Sequence, residues 1–280
     1  MKFIYLTLLI STILLSNSCT SSKENFSTTK YQSIITKYTE IKQIISKEVD
    51  DTFYVYIRLP KNYNKSNKSY PVLYLLDGDI SFNMATSIVR YLQFDKSVPD
   101  LIIVAPAYGT MMSNNEKNFR ERDYTFSSNS KFKKSGGGSN YLKFFTNELI
   151  PKIDSSYRTN NKRILNGYSL GGLFAMNAML EDPKTFNNVI AGSPYLINDL
   201  NLFDEMVNGL KKHSGNKKIF ISYGELEDKT TYHKPIKNLA GKLKSVNGLS
   251  IKLVEFKNGT HLSCPSEAMT YGLKYIFKSQ

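Results

Sequence analysis

Cysteine is nearly missing from this chain: Cys19 and Cys264 are the only two in 280 residues. With Cys19 at the end of the N-terminal apolar run, Cys264 is alone in the body and no disulfide is expected there, so its stability has to come from a hydrophobic core. Histidine is almost as scarce. His213, His233 and His261 stand far apart and give none of the paired spacings of a zinc site, so no metal is expected. Gly136 and Gly138 lack the third glycine of a dinucleotide fingerprint and the lysine of a phosphate loop, so no organic cofactor is expected either. No repeat and no Pro- or Ser-rich linker divides the chain, and one domain is the expectation. The apolar run Phe3 to Leu15 is too short to span a bilayer, which takes about 20 residues. Negative charge is in deficit, leaving a formal net charge of +13. The lysines scatter in ones and twos and form no stripe alternating with aromatics, which excludes nucleic acid as the expected partner.

What is present begins with Lys2, the run Phe3 to Leu15, and Ser16-Asn17-Ser18-Cys19. That order resembles a bacterial lipoprotein signal, although Leu15 stands one place early and Ser16-x-Ser18 would also serve ordinary cleavage. The reading is a signal over 1–18, an acylated Cys19 opening a polar tether over 19–38, and a folded domain over 39–280. It places the protein in the bacterial cell envelope, periplasmic or on the outer membrane, held to the membrane by its lipid.

Within the domain, Ile41 to Val49 and Thr52 to Leu59 predict an antiparallel entry hairpin through Asp50-Asp51. Tyr70 to Leu76 and Leu101 to Ala105 are continuous apolar runs, as strands buried on both faces require. Ser81 to Leu92 predicts a helix between them. Ser139 is expected to cap a helix carrying Tyr141, Leu142, Phe145, Leu149 and Ile150 at helical spacing. Further strands are expected at Phe186 to Ala191, Lys218 to Tyr223 and Leu249 to Phe256, with helices around Leu200 to Leu210 and Ile236 to Leu243. Such alternation predicts an α/β fold: a mainly parallel sheet with helices on both faces and function at the carboxyl ends of its strands.

The most informative stretch is Ile164-Leu165-Asn166-Gly167-Tyr168-Ser169-Leu170-Gly171-Gly172. It sets a serine between glycines where an apolar strand gives way to a helix rich in Leu, Phe, Met and Ala, the pattern of a nucleophile elbow. A serine hydroxyl needs a base, and in such a fold a histidine supplies it, oriented by a carboxylate. His213 lies before a strand, at the wrong end of the sheet. His233 reads as a helix start or solvated loop. His261, directly after the last strand, is the candidate base. The acid is expected past the preceding strand, where Glu225, Glu227 and Asp228 all stand; Glu227 is favoured, with the other two open. Backbone N–H groups for the oxyanion are expected from Leu170 and from the Asp77-Gly78-Asp79 turn, with Asp79 preferred to Gly78. Arg120, Arg122 and Tyr124, in a long polar stretch, are candidates to cradle an anionic or aromatic part of the substrate, with Arg122-Asp123 as a structural pair the alternative.

Tyr70 to Asp79, Arg122-Asp123-Tyr124, Gly137-Gly138, Glu148 to Ile153, Gly167 to Gly172, Gly224-x-x-Glu227 and Gly259-x-His261 together resemble the esterase family of α/β-hydrolases that includes esterase D and the feruloyl and siderophore esterases. The resemblance runs from about Ile41 to the C-terminus. It implies Ser169 as nucleophile, His261 as base, Glu227 as acid, and Leu170 with the Asp77–Asp79 turn as oxyanion hole. Tyr168 and Leu170 replace the commoner His and Met beside the serine, and Glu227 stands where many relatives carry Asp. The expected activity is hydrolysis of an extracytoplasmic carboxylic ester, of a siderophore, feruloyl or acetyl carbohydrate type. Acyl transfer in the same site, and a non-catalytic binding lipoprotein, are the alternatives.

Overall fold

Six apolar residues in a row, Tyr70–Leu75, form a strand in which every residue is buried. Its alternate side chains enter different cores: Val72, Tyr74 and Leu76 join one, Leu73 and Leu75 the other. Such two-sided burial is what the middle of a helix-covered parallel sheet demands. The computed structural model describes residues 36–110, 117–128, 130, 132–196, 200–210 and 216–278. The expected signal over 1–18, Cys19, the tether up to residue 35, and His213 lie outside them.

The strands are β1 (Thr39–Ser46), β2 (Asp51–Arg58), β3 (Tyr70–Leu75), β4 (Ile102–Ala107), β5 (Thr159–Tyr168), β6 (Asn188–Gly192), β7 (Lys217–Gly224) and β8 (Leu249–Phe256). They form one sheet in the order β1-β2-β4-β3-β5-β6-β7-β8. β1 and β2 pair antiparallel as the expected hairpin, and β2 is antiparallel to β4. Every pairing from β4 through β3 to β8 is parallel.

Helices α1 (Gly78–Phe94) and α8 (Pro265–Phe277) cover one face, where Phe82, Val89, Leu273 and Ile276 meet Leu73, Ile103 and Ile190. The other face carries α2 (Arg120–Tyr124), α3 (Gly138–Lys143), α4 (Ile150–Ser156), α5 (Leu170–Glu181), α6 (Leu200–Leu210) and α7 (Lys234–Leu243). A wider turn over Phe144–Leu149 joins α3 to α4. Ser139 does not cap this segment. Gly137 holds the cap position and Ser139 lies inside the first turn, because Gly137 and Gly138 are pinned from outside by the carbonyls of Arg122 (2.9 Å) and Thr125 (2.8 Å).

α5 is buried on every side from Leu170 to Leu180 and packs directly behind the elbow. Phe174 lies 5.3 Å from the Tyr141 ring, 5.8 Å from Tyr124 and 5.9 Å from Phe145. Each such aromatic contact adds about 0.5–1.5 kcal/mol beyond burial of area, so the helix behind the serine has little freedom to shift. Among the described residues no helix is long and apolar enough to cross a membrane.

Candidate active site

β5 delivers Ser169 with φ 58° and ψ −118°, and α5 begins at the next residue. A non-glycine backbone in that region costs about 1–3 kcal/mol and persists only where its surroundings hold it. Here the Ser169 N–H donates to the Gly192 carbonyl (2.9 Å), while the Ser169 carbonyl accepts from Leu173 (3.0 Å) and Tyr195 (3.2 Å). The turn also needs room. A Cβ on Gly167 would collide with the Gly171 carbonyl, so only glycine lets the strand and helix pass this closely. Since Leu173 is the donor to Ser169, the N–H groups of Leu170, Gly171 and Gly172 sit ahead of the intrahelical ladder at its positive end.

Glu227 follows β7 and His261 follows β8, two neighbouring strands of the sheet. Although 34 residues apart, Glu227 Oε1 and His261 Nδ1 are 2.5 Å from each other. The Glu227 side chain is 0 % exposed and that of His261 29 %. A buried carboxylate needs donors on every side. Oε2 accepts the Gly224 N–H at 2.7 Å and the Ser193 hydroxyl at 2.9 Å. A carboxylate only accepts, so Nδ1 carries the hydrogen and Nε2 presents its lone pair, the tautomer a general base requires.

The competing acids are engaged elsewhere. Glu225 accepts the Asn258 N–H at 2.8 Å, and Asp228 caps the following turn through Thr230 (3.1 Å) and Thr231 (2.7 Å). His261 lies between two tyrosine rings, with centroids 5.2 Å from Tyr168 and 4.8 Å from Tyr232. Burial, and then the Glu227 charge, push the Tyr232 hydroxyl above the usual phenol range, while a hydrogen bond with Ser169 pulls it back. The Tyr232 ring thus packs against the base. His233 is not solvated: it is buried, and Nε2 donates to the Gly224 carbonyl at 3.1 Å.

The third wall is the turn after β3. Asp77 has φ 56°, and its carbonyl accepts from Ile80 (3.0 Å) and Ser81 (2.8 Å), placing Gly78 and Asp79 in the first turn of α1. The Asp77 N–H donates to the Tyr124 hydroxyl at 3.0 Å. Its carboxylate receives Arg120 Nε at 2.5 Å and Nη2 at 3.2 Å, and Nη2 also reaches the Tyr168 carbonyl at 3.4 Å. Burial works against the Arg120 charge, but Asp77 outweighs it and holds the guanidinium above its ordinary pKa. The Asp79 carboxylate accepts from the Tyr56 hydroxyl (2.9 Å) and the Tyr108 N–H (2.7 Å), so this side chain braces the turn. A cavity of about 280 Å³ opens beside it, lined in part by Gly78, Ile80, Tyr108, Lys117 and Arg120.

Arg122 and Tyr124 do not line this cavity. Arg122 is bound to Asp123 (2.7 Å) and Asp51 (3.0 Å), and Tyr124 is 1 % exposed beneath Asp77. Tyr124 supports the turn by accepting the Asp77 N–H, and Arg122 ties the long stretch to Asp51 at the start of β2. Missed from the sequence were Ser193 and Tyr232. The first directly follows β6, where strand order alone places a residue on the same rim; the second lies one residue before a histidine considered only for itself.

Known proteins resemble this chain in sequence and in fold. The family model described as "Putative esterase" matches residues 46–258. The ferri-bacillibactin esterase BesA of Bacillus subtilis strain 168 is 28 % identical over 258 residues, covering 85 % of this chain and 89 % of its own length. Among solved structures, the BES protein from Bacillus cereus superposes with a TM-score of 0.79 at 26 % identity, covering 89 % of this chain and 98 % of that one. An IroE-like serine hydrolase from Shewanella oneidensis gives 0.73 at 26 % identity, with 85 % and 80 % covered. The chain belongs to this esterase family and is a carboxylic ester hydrolase of the α/β fold.

Proposed function

We propose that Ser169, His261 and Glu227 form the catalytic triad of a serine esterase that works through an acyl-enzyme. The observation that carries this reading is the 2.5 Å bond between Glu227 and His261 on the rim where Ser169 adopts φ 58°. Ser169 Oγ attacks the ester carbonyl carbon while His261 Nε2 takes its proton. The carbonyl oxygen becomes an oxyanion, received by the N–H of Leu170 and by the Gly78–Asp79 segment. The C–O bond then breaks, and His261 returns the proton to the leaving alcohol. A water, deprotonated by the same imidazole, attacks the acyl group; the imidazolium then passes that proton to Ser169 Oγ as its bond to the acyl carbon breaks, which frees the acid and the serine.

For the substrate we infer a siderophore ester met outside the cytoplasm, with Cys19 carrying the lipid anchor. The name of the Bacillus subtilis relative, a ferri-bacillibactin esterase, supports the first part and the N-terminal pattern the second. The test is hydrolysis of short-acyl nitrophenyl esters, feruloyl esters, acetylated xylan and a catecholate triester, each with a Ser169→Ala control. The triester turning over fastest by kcat/KM, with every activity lost in the control, is the expected result. Faster turnover of the feruloyl or xylan ester would replace the substrate assignment; an active control would end the triad.

A further inference from the structure

The triad needs only one oxygen of Glu227, and the other is as carefully held. Oε2 accepts the Ser193 hydroxyl at 2.9 Å, and the same Ser193 Oγ lies 2.9 Å from the Tyr168 hydroxyl. Ser193 has one hydrogen and the carboxylate can only accept it, so Tyr168 is the donor to Ser193. The hydrogen bonds therefore run in one direction, from Tyr168 through Ser193 to Glu227, and Glu227 in turn accepts from His261.

Two further facts show that this path is built rather than incidental. Ser193 is 0 % exposed and sits at φ 38°, a backbone that non-glycine residues avoid, locked there by its N–H donating to the Ser222 carbonyl at 2.7 Å. Tyr168 is the residue next to the nucleophile, and its ring also packs on His261. Burial pushes its hydroxyl above the usual phenol range, so it remains a donor. The other titratable groups around the pair are Tyr232, from the turn before α7, and Cys264, at the start of α8; burial raises both, which keeps them neutral.

We propose that Ser193 and Tyr168 are positioning residues of this esterase, a relay that fixes the rotamer of Glu227 and draws charge away from the oxygen facing His261. Cooperative hydrogen-bond chains act in this way inside a low-dielectric site. The residue beside the nucleophile thereby sets the strength of the base. The inference rests on the triad assigned above and adds to it the source of its tuning.

The experiment is kcat and KM against pH on 4-nitrophenyl acetate for the full chain, Ser193→Ala, Ser193→Gly and Tyr168→Phe, with Ser169→Ala alongside. Losing a hydrogen bond to a charged group predicts kcat about ten- to a hundredfold lower in Ser193→Ala. KM should stay within about twofold in Ser193→Ala, because Ser193 is 0 % exposed and out of the substrate's reach. The acid limb should move to higher pH, since a carboxylate with one donor fewer holds the imidazolium more firmly. Tyr168→Phe should do the same to a smaller extent. Ser193→Gly relieves the backbone and also lacks the hydroxyl; it should melt no lower than the parent yet match Ser193→Ala in kcat and acid limb. Parental kcat and acid limb in both Ser193 variants and in Tyr168→Phe, with Ser169→Ala inactive, would overturn the relay and leave the triad standing. Full activity in Ser169→Ala would overturn both.

Discussion

Arg120 holds Asp77 through two hydrogen bonds, at 2.5 and 3.2 Å, and touches the Tyr168 carbonyl at 3.4 Å with the same nitrogen that makes the longer one. One guanidinium thus joins the turn after β3, assigned to the oxyanion, to the last residue of β5, next to Ser169. Lysine carries the charge without the fork and cannot make both contacts. Arg120→Lys should lower kcat on nitrophenyl acetate about tenfold or more, with a smaller change in KM. Arg120→Ala should in addition destabilise the fold by about 3 kcal/mol in urea unfolding, since it leaves the Asp77 charge buried and unpaired. Parental kcat in both variants would show that the turn keeps its shape without the clamp.

The three acids after β7 separate cleanly by partner. Glu227→Ala should cut kcat by about 10⁴, the scale on which a triad acid acts. Glu225→Ala and Asp228→Ala should keep kcat within about threefold. Asp228 should instead show itself in stability. The hydrogen bonds from Thr231 hold its carboxyl below the ordinary 3.8. A group with a depressed folded pKa stabilises above its unfolded value and loses that contribution as pH falls through the folded one. The melting-temperature difference between parent and Asp228→Ala should therefore be full at neutral pH and shrink below about pH 4. A constant difference down to pH 2 would contradict the capping role.

Gly167 and Gly171 flank the serine symmetrically in sequence but not in space. A Cβ on Gly167 meets the Gly171 carbonyl, a backbone atom that cannot step aside, whereas one on Gly171 meets Asp77 Oδ2 at 3.2 Å. Gly167→Ala should cost about 3 kcal/mol or more, or prevent recovery of soluble protein, while Gly171→Ala should cost about 1 kcal/mol. Equal unfolding midpoints for the two variants would show that the elbow does not pack as described.

Much of this was legible in advance. β8 and α6 fall where the sequence places them, because runs buried on one side or both leave a periodicity that can be counted. The rim of the site was legible from chain order, since Ser169, Glu227 and His261 each follow a strand. The direction of a charged side chain was not. Arg122 reads the same whether it faces a substrate or Asp51, and that partner lies 71 residues away. Ser139 failed as a cap for a related reason: the hydrogen bonds that fix Gly137 and Gly138 come from residues 122 and 125, outside any local window.

Tyr124 gives the matching test of support against recognition. Its hydroxyl is the acceptor for the buried Asp77 N–H, so Tyr124→Phe strands a donor at a cost of about 1–3 kcal/mol. The rates on carboxylated and neutral aryl esters should fall by the same factor, and likewise in Arg122→Ala. A loss confined to the carboxylated ester would return either residue to the substrate.

The central claim is that one serine carries the acyl group, and a fluorophosphonate reads it directly. Peptide mass spectrometry of the labelled full-length protein should find a single adduct, on the peptide containing Ser169, absent from Ser169→Ala and slowed at least a hundredfold in His261→Ala. An adduct on another serine, or undiminished labelling of Ser169→Ala, would contradict the account.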